Sequence, residues 1–466
     1  MYDFILKNGH VIDPLNNIDG ICDIGVENGR IARVDTDIPG IQSKEVYNLD
    51  GKYVIPGIVD MHTHISKSLG SPHSHRMLAA AGVTASLDMA GPIEDVLTLA
   101  RDDGAGLTMA SLEQVVPGYN IDSPQPGREA VKKAVDRALD SGSLGMKTLA
   151  AIQLVSPETI HQVFETCNEE GVYVASHCGS NKTGSDINGF LEAVKLAENM
   201  HVHLAHINSY CRGLINPDME EAAAAIDALI RNPKISSESY LSPINGNFAD
   251  CENGLPKTPV CRNCLRMGGY PETQEGLEQA ILDGWAMVNM PFGGQSILKI
   301  GKEAVEYWKS EDTHVGVSFN VNAPGPRYWL ATAKRPNGDF VCDAISTDGG
   351  GIPRNFLLSH GLSLIKFGAL SWQEFIQKTS ITPSAIIGFP EHGSLSLGKE
   401  ANITVVDYEK QNAYMTVSNG KVIYYRGMIC GTGTRFGTTE RGVKHVKEFG
   451  LPAFVIDQKQ TMFYKR

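Results

Sequence analysis

The residues best suited to chemistry lie in Pro56-Gly57-Ile58-Val59-Asp60-Met61-His62-Thr63-His64. Side chains two apart on a β-strand point the same way, so His62 and His64 project together with Asp60 beneath them. Paired imidazoles suit zinc, cobalt, nickel or iron, although two strand histidines satisfied by hydrogen bonds would look the same. Later segments repeat the pattern of an apolar stretch ending in a ligand type. These are Val172-Tyr173-Val174-Ala175-Ser176-His177, His203-Leu204-Ala205-His206, and Ala344-Ile345-Ser346-Thr347-Asp348 before three glycines. Lys147 ends a fourth such segment, Ser143-Leu144-Gly145-Met146-Lys147. An ammonium cannot ligate a metal, but burial lowers the lysine pKa and makes the neutral amine accessible. A neutral amine adds carbon dioxide to give a carbamate whose two oxygens could bridge two cations. The alternative is a lysine extending to solvent at the rim of the fold.

Positioning these groups requires strands whose ends converge. The middle of the chain alternates strands and helices, with strands expected at 58–64, 83–89, 107–116, 145–150, 172–177, 202–206, 235–241 and 344–348. Ser156-Pro157 and Asn216-Pro217 each place an N-cap residue before a first-turn proline. This pattern predicts an α/β fold, a (β/α)8 TIM barrel, in which active sites gather at the C-terminal strand ends. The two chain ends read differently. Asn8-Gly9, Asn28-Gly29 and Asn419-Gly420 follow β-rich stretches and supply the positive φ of tight hairpins. A small β-sandwich built from both ends is therefore expected. The predicted boundaries are 1–56 for its N-terminal part, 57–385 for the barrel, and 386–466 for its C-terminal part and tail. The seventh and eighth strands are separated by an insertion at about 242–341, long enough to carry structure of its own.

Composition narrows the class. Of the 466 residues 42% are hydrophobic and 20% charged, which excludes global disorder. The net charge of −12 argues against a nucleic-acid or polybasic membrane surface. The first residues lack the charged-then-apolar pattern of a secretion signal, and no apolar run reaches the ~18 residues that span a bilayer. Nine cysteines, an odd number, fit reduced thiols. The expectation is a cytoplasmic protein, a homo-oligomer, with a small-molecule substrate and neither nucleic-acid nor membrane partners.

Together these features resemble the amidohydrolase superfamily, specifically its binuclear-metal subtype, over nearly the whole chain. The closing Gly393-Ser394-Leu395-Ser396-Leu397-Gly398-Lys399-Glu400-Ala401-Asn402 belongs to the resemblance, with Asn402 where an aspartate is more usual. N-acyl-D-amino-acid deacylases and dihydroorotase-like enzymes are the nearest comparisons. The resemblance implies two divalent ions, zinc first and cobalt, manganese, nickel or iron as alternatives. His62, His64 and Asp348 would hold the more buried ion and His177 and His206 the other, with carboxylated Lys147 bridging. It further implies hydrolysis of a C–N bond in an amide, cyclic amide, carbamate or urea-like compound. A metal-bridged hydroxide would attack the carbonyl, with Asp348 as general base.

Two rival readings are a mononuclear deaminase of the same superfamily and a catalytically inactive barrel scaffold. The first lacks a glutamate just beyond His177 or His206; the second would be expected to have lost ligands. No Gly-x-Ser-x-Gly or Gly-x-Gly-x-x-Gly is present, which disfavours serine hydrolysis and dinucleotide use. Lys182, Asn208, Arg212, Tyr240 and Arg327 lie near expected strand ends, where one or more could bind a substrate carboxylate; solvated surface is the alternative. His73 and His75 could line the pocket without serving as ligands. Cys251, Cys261 and Cys264, with Cys211 as a fourth member, could hold a structural zinc or remain free thiols.

Overall fold

The computed structural model describes residues 1–66, 72–89, 91–150, 152–153, 155–179 and 184–466. The middle of the chain supplies the parallel strands β1 (Ile58–His64), β2 (Val83–Asp88), β3 (Ala105–Ser111, extended by Glu113–Gln114) and β4 (Gly145–Leu149). They continue as β5 (Tyr173–His177), β6 (Val202–Leu204), β7 (Ile235–Tyr240) and β8 (Ala344–Ser346, extended by Gly349–Gly350). Each pairs in parallel with the next. Gly349 and Gly350 then pair with Thr63 and His64, so the succession returns to β1. Helices follow the strands, as in Pro157–Glu170 after β4 and Leu357–Lys366 after β8. β1 is buried throughout, the signature of a parallel strand covered on both faces. Gly145 opens β4 because a Cβ there would run into the carbonyl of Tyr173 on β5.

Observed strands match the expected ones closely, with two informative exceptions. His206 and Asp348 lie beyond the ends of β6 and β8, at φ of 38° and 52°. That left-handed backbone, unusual for residues with a side chain, turns each chain out of the pleat. Local start signals fared unevenly. Ser156 caps its helix as expected, accepting from the Thr159 N–H at 3.2 Å. Asn216 does not cap the helix Asp218–Arg231, for which Pro217 is the cap position. Instead the buried Glu221 carboxylate reaches back to the N–H groups of Gly213, Ile215 and Asn216 at 2.8, 2.9 and 3.0 Å.

The two chain ends meet in a nine-stranded sheet, joined where Tyr53–Pro56 pairs antiparallel with Ile403–Asp407. One core cluster takes Phe4, Leu6 and Val54 from one end and Ile403, Val405 and Met415 from the other. Asn28-Gly29 and Asn419-Gly420 form tight hairpin turns, all four residues at positive φ. Asn8-Gly9 does not turn the chain: it falls inside the strand Tyr2–Asp13 at a register shift, with Asn8 at φ 63°. There the Asn8 N–H donates to the Asp23 carboxylate at 2.8 Å, and the pair makes a bulge.

The insertion between β7 and β8 carries its own structure. A four-stranded sheet packs with the helices Pro259–Met267, Gln274–Asp283 and Gly301–Ser310 around Leu265, Ile281, Val288, Trp308 and Phe319. The last residues behave differently from the terminal sheet. Gly433–Thr438 pairs in parallel with β3, and Ala453–Val455 pairs with it in turn. Further on, Phe463 is buried and stacks on Tyr173 of β5 at 4.4 Å, while the Tyr464 hydroxyl donates to the Val172 carbonyl at 2.7 Å. This tail is thus part of the packed core. Phe463→Ala should cost about 3–5 kcal/mol in urea unfolding; a loss below about 0.5 kcal/mol, the scale of an ordinary surface change, would show that the tail is only an appendage.

Candidate metal centre

Alternation along β1 places Asp60, His62 and His64 on one side, with Val59 and Met61 packed into the apolar core on the other. Asp60 ties β1 to β8 by accepting from the Thr347 N–H at 3.1 Å and from its hydroxyl. Burial raises its pKa to about 7.

The His62 ring is fixed from behind. Its Nδ1 lies 2.7 Å from Oε1 of Glu238, an oxygen that also accepts the His206 N–H at 2.7 Å. Burial opposes ionisation of Glu238, but the surrounding His62, His203 and His206 hold it well below the usual carboxylate range. An anionic acceptor makes Nδ1 the protonated nitrogen and leaves the lone pair on Nε2. Nε2 stands 2.9 Å from Nζ of Lys147 and 3.3 Å from Oδ1 of Asp348. The same Oδ1 is 2.8 Å from Nε2 of His64. On the adjoining side, Nε2 of His206 lies 3.0 Å from Nδ1 of His177, whose Nε2 meets the Ser185 hydroxyl at 2.6 Å. The His62 and His206 rings are 5.1 Å apart, which joins the two halves. His62, His64, Lys147, His177, His206 and Asp348 therefore form one connected cluster.

Electrostatics make this cluster rich in lone pairs. Burial, reinforced by Lys147, pushes His62 down to about 4 and His177 down to about 3. Burial and His177 hold His206 well below the ordinary range, so all three rings are neutral at pH 7. Lys147 is fully buried, and desolvation lowers its pKa to about 8. Burial would raise Asp348, but the Arg354 guanidinium, 2.7 Å from Oδ2, and the surrounding histidines hold it well below the carboxylate range. Donor atoms of His62, His206 and Asp348 lie within 4.8 Å of one another. Nδ1 of His64 and Nδ1 of His206 are buried without a hydrogen-bond partner. Neutral imidazoles facing a carboxylate, with few protons to share, are a donor set that fits a divalent cation.

A cavity of about 160 Å³ opens on the cluster. His64, Lys147, His177 and Asp348 line it, together with Gln114, Gln153, Asn247, Phe248 and Arg354. None of the four described polar residues expected to bind substrate lines this cavity. Asn208 is buried, accepting from the Ser239 hydroxyl and the Tyr240 N–H at 3.0 Å each. Arg212 donates to Asn322 at 2.9 Å, and Tyr240 bonds Ser209 at 2.9 Å while lying under the Arg354 guanidinium. Arg327 donates to the main-chain oxygens of Leu241 and Ala323. These contacts lie within the protein, although Nδ2 of Asn208 is buried without a hydrogen-bond partner. Lys182 lies outside the described residues. His75 is buried on the helix Ser74–Ala80.

The structural-zinc reading of the cysteines gives way to free thiols. Cys261 and Cys264 pack in the apolar core of the insertion, and Cys264 accepts from Asn245 at 3.3 Å. Among the described residues, only His62, His206 and Asp348 form a compact group of three potential ligands. Sequence reasoning missed Glu238 and Arg354. The lone carboxylate in Ile235-Ser236-Ser237-Glu238-Ser239-Tyr240, within an otherwise uncharged strand, was the available signal for the first.

Comparison with known proteins bears on the family and the fold. Residues 331–432 match the amidohydrolase family model. A dihydroorotase of Aquifex aeolicus is 24% identical, covering 88% of this chain and 91% of its own. A D-hydantoinase of Ralstonia pickettii is 22% identical over 88% and 87%. Over most of its length the chain is similar to amidohydrolases. Among solved structures, a D-aminoacylase described as having a binuclear metal center superposes with a TM-score of 0.64 at 18% identity, covering 93% of this chain and 99% of that one. An N-acyl-D-glutamate deacylase of Bordetella bronchiseptica, complexed with zinc and a phosphonate inhibitor, gives 0.65 at 14% identity with the same coverage. These likenesses establish the fold.

Arg354 is the only side chain paired with Oδ2 of Asp348 among the described contacts. In metal-free protein, Arg354→Met should destabilise by about 3–5 kcal/mol because it strands a buried carboxylate. Urea unfolding after chelation measures this, and unchanged stability would show that the pair carries no weight.

Proposed function

We propose that this protein is a metal-dependent hydrolase of the amidohydrolase superfamily that opens a C–N bond in an amide or cyclic amide of a small molecule. The carrying observation is the convergence of neutral His62 and His206 with anionic Asp348 beside buried Lys147. In this reading His62, His64 and Asp348 hold one divalent ion and His177 and His206 a second, with zinc the first candidate. When bound, such ions supply Lewis acidity that polarises a carbonyl and brings a water's pKa toward neutrality.

The chain's own groups do the rest. Lys147, with its pKa near 8, has a neutral amine within reach at physiological pH, which would add carbon dioxide with loss of a proton to give a carbamate whose oxygens could serve as ligands. Arg354 fixes Oδ2 of Asp348 and leaves Oδ1 at the ligand cluster. Asp348 then takes the proton of the attacking water and passes it to the leaving nitrogen. Gln114, Gln153 and Asn247 offer amide donors and acceptors along the cavity, and Phe248 offers an apolar face.

The same reading treats the eight returning parallel pairings as a closed (β/α)8 barrel over 57–385. Residues 1–56 and 386–466 then contribute the sandwich and tail. Among the described residues no helix is long and apolar enough to cross a membrane. A cytoplasmic homo-oligomer acting on small molecules completes the proposal.

Turnover of N-acyl amino acids, cyclic ureides and carbamates by zinc- or cobalt-loaded protein tests the activity; no hydrolysis of any of the three classes would refute it. Lys147→Ala should lose both turnover and the two-ion content, and retention of two ions with full turnover would remove the bridging role. Asp348→Asn should lower kcat by about 10²–10⁴-fold on the best substrate, whereas near-normal kcat would exclude its role as base.

A further inference from the structure

One buried carboxylate ties together three of the elements that carry the candidate ligands. Glu238 lies within β7 with no exposed surface. Its Oε1 accepts from Nδ1 of His62 at 2.7 Å and from the His206 N–H at 2.7 Å. Its Oε2 accepts from the Ser346 hydroxyl at 2.5 Å, two residues before Asp348. Nε2 of His203 stands 3.7 Å from Oε1. A single side chain thus reaches β1, the turn after β6, and β8. An anion kept dry is costly, and one with no ligating or surface role needs another reason to be there.

We propose that Glu238 is the positioning residue of the metal centre. By accepting the Nδ1 proton it excludes the other His62 tautomer and aims the Nε2 lone pair at Lys147 and Asp348. Its negative charge makes that imidazole a better donor to a cation. By accepting the His206 N–H it helps hold that residue at φ 38°, the backbone that brings Nε2 of His206 to His177. Its hold on Ser346 fixes the approach to Asp348. Glu238 touches neither substrate nor reacting atoms; it acts through the ligands. This inference rests on the metal-centre reading above.

The test compares wild-type protein with Glu238→Gln as full-length chains, stripped of metal and titrated with cobalt(II) against a competing chelator. Visible absorption is recorded during the titration, and the metal-free thermal unfolding midpoint separately. A glutamine keeps the size and one acceptor but removes the charge. The expected result is about 10–100-fold weaker cobalt binding with altered cobalt absorption, from a variant whose metal-free form still unfolds cooperatively. Wild-type affinity and spectrum in the variant would overturn the positioning role, as would a lowered unfolding midpoint with an unchanged cobalt spectrum. Wild-type protein that binds no cobalt would instead overturn the metal-centre reading on which it rests. Glu238→Asp keeps the charge and withdraws it by one methylene. Should the glutamine variant not fold, the aspartate variant is expected to weaken cobalt binding, and unchanged affinity there overturns the proposal.

Discussion

In the interior of this protein, Nε2 of His62 and Oδ1 of Asp348 stand 3.3 Å apart, each bearing a lone pair. Both side chains are buried, so such a pair repels unless something positive lies against it. Lys147 approaches Nε2 from one side, and Arg354 neutralises the far oxygen of Asp348. Both contacts lessen the repulsion, and Arg354 does so while leaving Oδ1 of Asp348 to the cluster. Much of the surrounding structure can be understood as holding these electron-rich atoms together against their mutual cost.

That holding is done by the strands and by what lies beyond their ends. Parallel pairing sets the strand ends side by side, and the close approach at Gly145 brings β4 against β5. Left-handed backbone at His206 and Asp348 then turns these two residues inward, and hydrogen bonds outside the regular ladder fix them. The Asp348 N–H donates to the His62 carbonyl at 2.9 Å, its own carbonyl accepts from Arg354, and the His206 N–H goes to Glu238. The insertion brings Asn247 and Phe248 to the cavity from a module with its own apolar core. Ligand geometry and access to it thus come from separate parts of the chain.

The sequence made the strands and their terminal candidate ligands readable because each is a short apolar run ending in a polar group. His62 and His64 needed only the period of two. The two Asn-Gly hairpins were legible because a tight turn demands positive φ, but that same preference misled at Asn8-Gly9, where a bulge uses it. Asn216 misled because a distant carboxylate, Glu221, took the N–H groups that a local cap would have taken. The substrate residues were not legible. Whether Arg212 or Arg354 faces the cavity depends on how loops fold over the strand ends, and strand periodicity carries no information about that. Glu238 escaped notice because its role is defined by partners 176, 32 and 108 residues away.

Similarity to amidohydrolases, convergence of the candidate ligands and donor-rich electrostatics all support the proposed cation-holding site. Anomalous diffraction from crystals of the cobalt-loaded protein tests that centre most directly. The expected map has two anomalous peaks within the cluster, one beside His62, His64 and Asp348 and the other beside His177 and His206, with added density on Nζ of Lys147. A cluster without anomalous density, or cobalt bound only elsewhere on the molecule, would contradict it.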